Sequence, residues 1–166
     1  SFDGGTGSGM FLDVALILRM LAQQLNVHHV LRGFFALPSV FTNLPDADMQ
    51  ARTFAAWREL NRFMVVNPDF PMPLIEYVEN DPQFRIHPDQ RIFDACYLVD
   101  GKRDGQSLAD EAKYGVFPMM AEVISAILDE RAGQAYTQWI MTNLAPEYAK
   151  NPEMPMYSAI GAYTVQ

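Results

Sequence analysis

The sequence predicts an α/β fold: a mostly parallel sheet in three layers, with helices on both faces. Two observations predict it. Segments of helical period alternate with short apolar runs along the 166-residue chain, and such alternation leaves strands parallel and sends the connecting helices to the two faces. The chain also opens on Asp3-Gly4-Gly5-Thr6-Gly7-Ser8-Gly9, which feeds with no spacer into an apolar run from Met10 to Leu25. Glycine lets backbone approach a ligand closely, and a helix start offers unpaired N–H groups and the positive end of the dipole. Together these make an anion cradle, suited to phosphate. A flexible Gly/Ser linker is the competing reading, weakened by the missing spacer.

The elements follow in order. Met10–Leu25 reads as a helix buried on most sides, because Phe11, Leu12, Ala15, Leu16, Leu18 and Leu25 leave little polar face; Asn26 is its stop signal. His28–Ala36 reads as a strand interrupted by Gly33. A helix from about Asp48 to Met64, capped by Asp46 or Asp48, sets Phe54, Trp57, Leu60, Phe63 and Met64 on one side. Asn67–Pro73, with three prolines, is a loop. Leu74–Val78 is a short strand, Asn80-Asp81-Pro82 a turn, and Arg85–His87 the candidate hairpin partner. Phe93–Val99 reads as a central strand, with the polar loop Asp100–Gly105 at its C-terminal end, where open α/β sheets place ligands. Ser107–Lys113 reads as a short helix. Pro118 fits the first turn of a new helix, which continues as one long helix or as two joined at Gly133. Pro146 and Pro152 close the helical region, and Met156–Val165 reads as a terminal strand.

Composition bounds the function. A net charge of −8 and a pI near 4.7 argue against a nucleic acid or an anionic membrane as partner, while backbone N–H groups can still hold one phosphate-bearing ligand. The single cysteine, Cys96, excludes an internal disulfide and suits a reducing, cytoplasmic setting. Met10–Leu25 contains Asp13 and Arg19 and is too short for a bilayer span. A phosphate loop normally follows a strand, and little chain precedes this one, so the sequence reads as a piece of a longer protein. Residues 1–145 are expected to form one α/β domain lacking its N-terminal part, and 146–166 a tail or the start of a following domain.

The run Gly4-Gly5-Thr6-Gly7-Ser8-Gly9 resembles the signature loop GGGTG[ST]G of the tubulin/FtsZ superfamily. Gly9–Ala15 (Gly-Met-Phe-Leu-Asp-Val-Ala), Phe34–Pro38 (Phe-Phe-Ala-Leu-Pro) and Tyr97–Gly101 (Tyr-Leu-Val-Asp-Gly) resemble its bacterial tubulin-like members more than tubulin itself. The likeness runs from about Ser1 to Leu144. It implies a cytoskeletal nucleotide-binding domain that takes GTP or GDP, with magnesium as the accompanying ion. Gly4, Gly5, Thr6, Gly7, Ser8 and Gly9 would cradle the phosphates, Asp48 would approach the ribose, Asp100 would begin the loop that reads guanine, and the Tyr114 ring would stack on the base. It also implies head-to-tail assembly, with GTP hydrolysis only when the next subunit supplies acidic residues from the loop ending its central helix.

Several departures bear on this. Asp3 stands where the signature has glycine, and either points away or meets a bridging Mg²⁺. Gly101 replaces an amide that reads the base, and Pro118 falls near a second. The acidic pattern Asn-x-Asp-x-x-Asp is absent after Ile127, where Asp129 and Glu130 read as part of a continuous helix. A catalytically inactive scaffold or assembly module is therefore the alternative, and no catalytic residue is assigned.

Other chemistry is thinly supported. The glycine spacing does not fit a dinucleotide fingerprint, and no Gly-Lys-Ser/Thr motif exists. His28 and His29 are adjacent and would point to opposite sides of a strand. With His87 distant and one cysteine, a zinc site is not expected. Cys96, inside an apolar strand, reads as core.

Overall fold

The computed structural model describes residues 5–41, 46–65, 75–82, 85–86, 91–103, 106–107, 115–150 and 158–160. The elements are α1 (Gly5–Gln24), β1 (Arg32–Ala36), a 3-10 turn (Pro38–Val40), α2 (Asp46–Met64), β2 (Ile75–Glu76), β3 (Arg85–Ile86), β4 (Ala95–Val99), β5 (Lys102–Arg103), β6 (Gln106–Ser107), α3 (Val116–Leu128), α4 (Glu130–Lys150) and β7 (Ser158–Ile160). β1, β4 and β7 form a three-stranded parallel sheet in the order β1-β4-β7. β2 with β3 and β5 with β6 form short antiparallel pairs. The expected Arg85 hairpin partner is thus present, held by Arg85 donating to Glu76 at 2.9 Å, which holds the Glu76 carboxyl below its usual range.

Side chains alternate across the sheet, and the register Gly33↔Cys96, Phe34↔Tyr97, Phe35↔Leu98, Ala36↔Val99 sorts them onto two faces. Phe35 and Cys96 join Leu12, Ala15 and Leu16 of α1 and Ala56, Leu60 and Met64 of α2 in one buried cluster. Ala36 and Val99 meet Val40 and the α3 residues Val116 and Met119 in another. On that second face Phe34 stacks on Tyr97 at 4.7 Å, and the Tyr136 hydroxyl of α4 lies 2.6 Å from that of Tyr97. The fold is α/β with a parallel sheet flanked by helices, as expected.

α1 runs against the strand direction. Its Phe11 ring meets Phe35, near the end of β1, at 5.5 Å. Two turns later Arg19, 7% exposed, reaches the strand starts. Arg19 donates to the Ile92 carbonyl (2.8 Å), to His29 Nε2 (3.1 Å) and to Asp94 (3.1 Å). Asp94 also accepts from the Leu31 N–H at 2.6 Å. The helix ends as Asn26 signals: Asn26 takes φ 52°, Val27 N–H bonds the Ala22 carbonyl and Asn26 N–H that of Gln23, a Schellman close.

Several readings are corrected. α1 is buried on one face only; Met10, Val14, Ile17, Leu18, Leu21 and Leu25 are exposed. Phe54 is exposed, with the Arg58 guanidinium 6.0 Å from its ring centre; the core face of α2 is set by Met49, Ala56, Leu60 and Met64. His28 and His29 precede β1, because the register with β4 begins only at Arg32. Ser107 is in β6, and 108–113 lie outside the described residues, as do 66–74. The helical region divides at Asp129, not Gly133, and Pro146 lies inside α4, which runs on to Lys150.

Candidate functional site

Four helix and loop ends gather at the C-terminal rim of the parallel sheet. α1 begins there, since it runs against β1. α3 begins there, because Val116 and Met119 pack on Ala36, Val40 and Val99. The 3-10 turn Pro38–Val40 leaves β1 at this rim and packs against α2, whose far end, Met64, meets Cys96. Asp100 and Gly101 leave β4 at the same level. This is the end at which open α/β sheets hold ligands.

Within the described residues, the glycine run is helical from its Gly5 onward. α1 already includes Gly5, Thr6, Gly7, Ser8 and Gly9, so the signature is the first turns of the helix itself. A helix leaves its first N–H groups without intrahelical acceptors, and no acidic residue occupies the first turn of α1 to offset its positive end. Gly7 and Gly9 are exposed, and a Cβ built on Gly9 would meet nothing within 4 Å. A phosphate could therefore approach this end closely.

Asp48 is the third residue of α2 and exposed, so it is not the residue preceding the helix; its carboxylate sits in the first turn, where the dipole favours it. Asp100 is exposed at the rim. Gly4, Tyr114 and Asp3 lie outside the described residues, although Gly115, after Tyr114, precedes α3 directly.

Ser39 belongs to this site and was not singled out by sequence. Its hydroxyl donates to Asp100 Oδ1, and the Gly101 N–H donates to Ser39 Oγ at 3.0 Å. Below it, the Leu37 N–H bonds the Val99 carbonyl at 2.9 Å. The two loops leaving β1 and β4 are thereby clasped. Gly101 is buried, and a Cβ there would overlap the Ser39 carbonyl oxygen and lie 2.7 Å from Val40 Cα. The signal was a hydroxyl following Pro38 at a strand end; what it meets 61 residues away in sequence needed the register.

A second feature lies at the opposite end. α3 has 13 residues, so it carries the chain about 20 Å from the rim. There Asp129 turns out of the helix at ψ 136°, and its Oδ1 accepts from the N–H groups of Arg131 (3.0 Å) and Ala132 (2.8 Å), capping α4. Gly133 permits the tight corner, because a Cβ on it would overlap the Ile127 carbonyl oxygen. Asp129 and Glu130 are exposed and line a cleft of about 460 Å³ with Gln134, Thr137 and Gln138. The acidic pair is thus at a break between helices, correcting the continuous-helix reading.

Cys96 is 1% exposed, and burial pushes its thiol well above the usual range, so it is a core residue. Among the described residues no group of three or more His, Cys, Asp or Glu could hold a metal, and no helix is long and apolar enough to cross a membrane.

A family model described as tubulin like matches residues 1–166. No curated protein and no solved structure matches the chain.

Proposed function

The chain belongs to the tubulin-like family, and from that premise we propose that its sheet rim binds a purine nucleotide, GTP or GDP. The observation that carries this reading is the convergence of the glycine-rich start of α1, the Asp100–Gly101 turn and the start of α3 on one rim. The N–H groups at the start of α1, with the hydroxyls of Thr6 and Ser8, would hold the phosphates. Asp48 and Asp100, both acceptors, would take donors of the ribose or base, and Tyr114 would stack on the ring. A magnesium ion would be held chiefly by the phosphates, with Asp3 the carboxylate that would meet it if it does not point away. The complete three-layer tubulin-like arrangement, a cytoplasmic setting and a bacterial cytoskeletal role belong to the same proposal.

Hydrolysis, in this reading, waits for assembly. The acidic corner Asp129–Glu130 lies at the end of the molecule opposite the rim, so stacking head to tail would bring one subunit's corner to the next subunit's nucleotide. An acidic side chain there could orient the water that attacks the terminal phosphate. A second reading is an assembly module without catalysis. The missing Asn-x-Asp-x-x-Asp pattern after Ile127 favours it, as does the engagement of Asp129 in capping α4.

Titration with GTP, GDP and ATP tests the binding reading. Saturable binding is expected, and Thr6→Ala should weaken it about tenfold, the equivalent of about 1.4 kcal/mol. If none of the nucleotides bound, or if Thr6→Ala bound as tightly as the parent, the reading would fail. Turnover per subunit at rising protein concentration separates the two versions. It climbs for an assembly-dependent GTPase and stays flat for a scaffold.

A further inference from the structure

We propose that Ser39 is a positioning residue of this site, which fixes Asp100 for nucleoside recognition and excludes any side chain from position 101. The inference rests on the nucleotide reading above. Ser39 stands in a turn that begins with Pro38 at its first position, and Pro38 fixes its own φ near −65°, so the hydroxyl is presented from a stiff backbone. Its one hydrogen goes to Asp100 Oδ1, and one of its lone pairs takes the Gly101 N–H. The pair of bonds spans the ends of β1 and β4, whose last residues are bonded through Leu37 and Val99. Val40, 3% exposed, and Val99, fully buried, anchor the clasp from beneath.

Two consequences follow for the ligand. The Asp100 carboxylate is held in one orientation at the rim, where it can only accept. Its ligand must offer donors, such as ribose hydroxyls or the paired N–H groups on guanine's edge. Position 101 has to stay glycine, because any Cβ would strike the Ser39 carbonyl. The base-reading amide expected from the resemblance is therefore blocked there by the clasp itself, and recognition at this loop passes to Asp100.

The test is a double-mutant cycle on GTP affinity, measured in the full chain with thermal melting alongside. Ser39→Ala should weaken GTP binding about tenfold, Ser39→Thr should restore most of it, and Ser39→Ala should add nothing once Asp100 is already alanine. Amide exchange at Gly101 should rise in Ser39→Ala, in the absence of nucleotide. Gly101→Asn should weaken GTP binding without gaining preference over ATP. If the parent chain bound GTP but Ser39→Ala bound it equally well, or if the losses of Ser39→Ala and Asp100→Ala simply added, the positioning role would be overturned while the nucleotide reading stood. If the parent bound no nucleotide, both would fall.

Discussion

Arg19 is a cation on the core-facing side of α1. Its guanidinium spends its donors on the Ile92 carbonyl, His29 and Asp94, and Asp94 passes the constraint on to the Leu31 N–H. One side chain thus fixes the segments entering β1 and β4 against the helix. Arg19→Ala should destabilise the fold by about 2–3 kcal/mol in urea unfolding, less than the ~3–5 kcal/mol of a fully buried pair, because the Asp94 side chain is 42% exposed. A loss under 0.5 kcal/mol would refute the clamp. Arg19 also shows what single residues conceal in a sequence. It is spaced three and four positions from Leu16 and Ala15, squarely on the apolar face, yet a charge in an apolar run reads as an interruption. Phe54 misleads the other way: an aromatic at helical spacing reads as core, but Arg58 can lie against its exposed ring. Cys96 was legible, since a small residue between apolar strand neighbours has few places to go but inward.

At the scale of elements, the starts and stops with local chemistry were readable. Asn26 ends α1 because asparagine tolerates the left-handed conformation, and Pro118 lies in the first turn of α3, where its missing N–H costs nothing. The division of the last helices differs from the sequence reading because Gly133 is the louder signal. Glycine is there for close approach to Ile127, while the actual turn is made four residues earlier by Asp129, whose carboxylate takes two N–H groups of α4. Pro146 misled for a related reason: a proline forfeits one bond within a helix, and the 21-residue α4 continues past it. Asp129→Ala should cost about 1 kcal/mol through loss of the cap, and Asp129→Asn, which keeps an acceptor, much less. Thermal melting of both variants checks this, and equal losses would refute the capping role. The short strand limits of β1 and β4 were less legible, because apolar sequence runs on where pairing stops.

For the whole molecule, direction is the organising fact. α1 runs against the sheet from rim to base, with the glycine-rich turns at one end and Arg19 toward the other. α3 leaves the same rim and delivers the chain to the acidic corner. The α/β class could be read from alternation and the glycine run from composition, but not that α1 already begins at Gly5. The meeting of Ser39, Asp100 and Gly101 could not, because it depends on the register that sets Ala36 beside Val99. On the proposal made above, a nucleotide occupies this rim. Hydrogen–deuterium exchange with and without saturating GTP tests it most directly. Protection is expected over residues 5–12, 37–41, 97–101 and 115–119, with residues 127–134 unchanged while the chain remains unassembled. Protection confined to the corner between α3 and α4, or no difference at any of the rim segments, would contradict it.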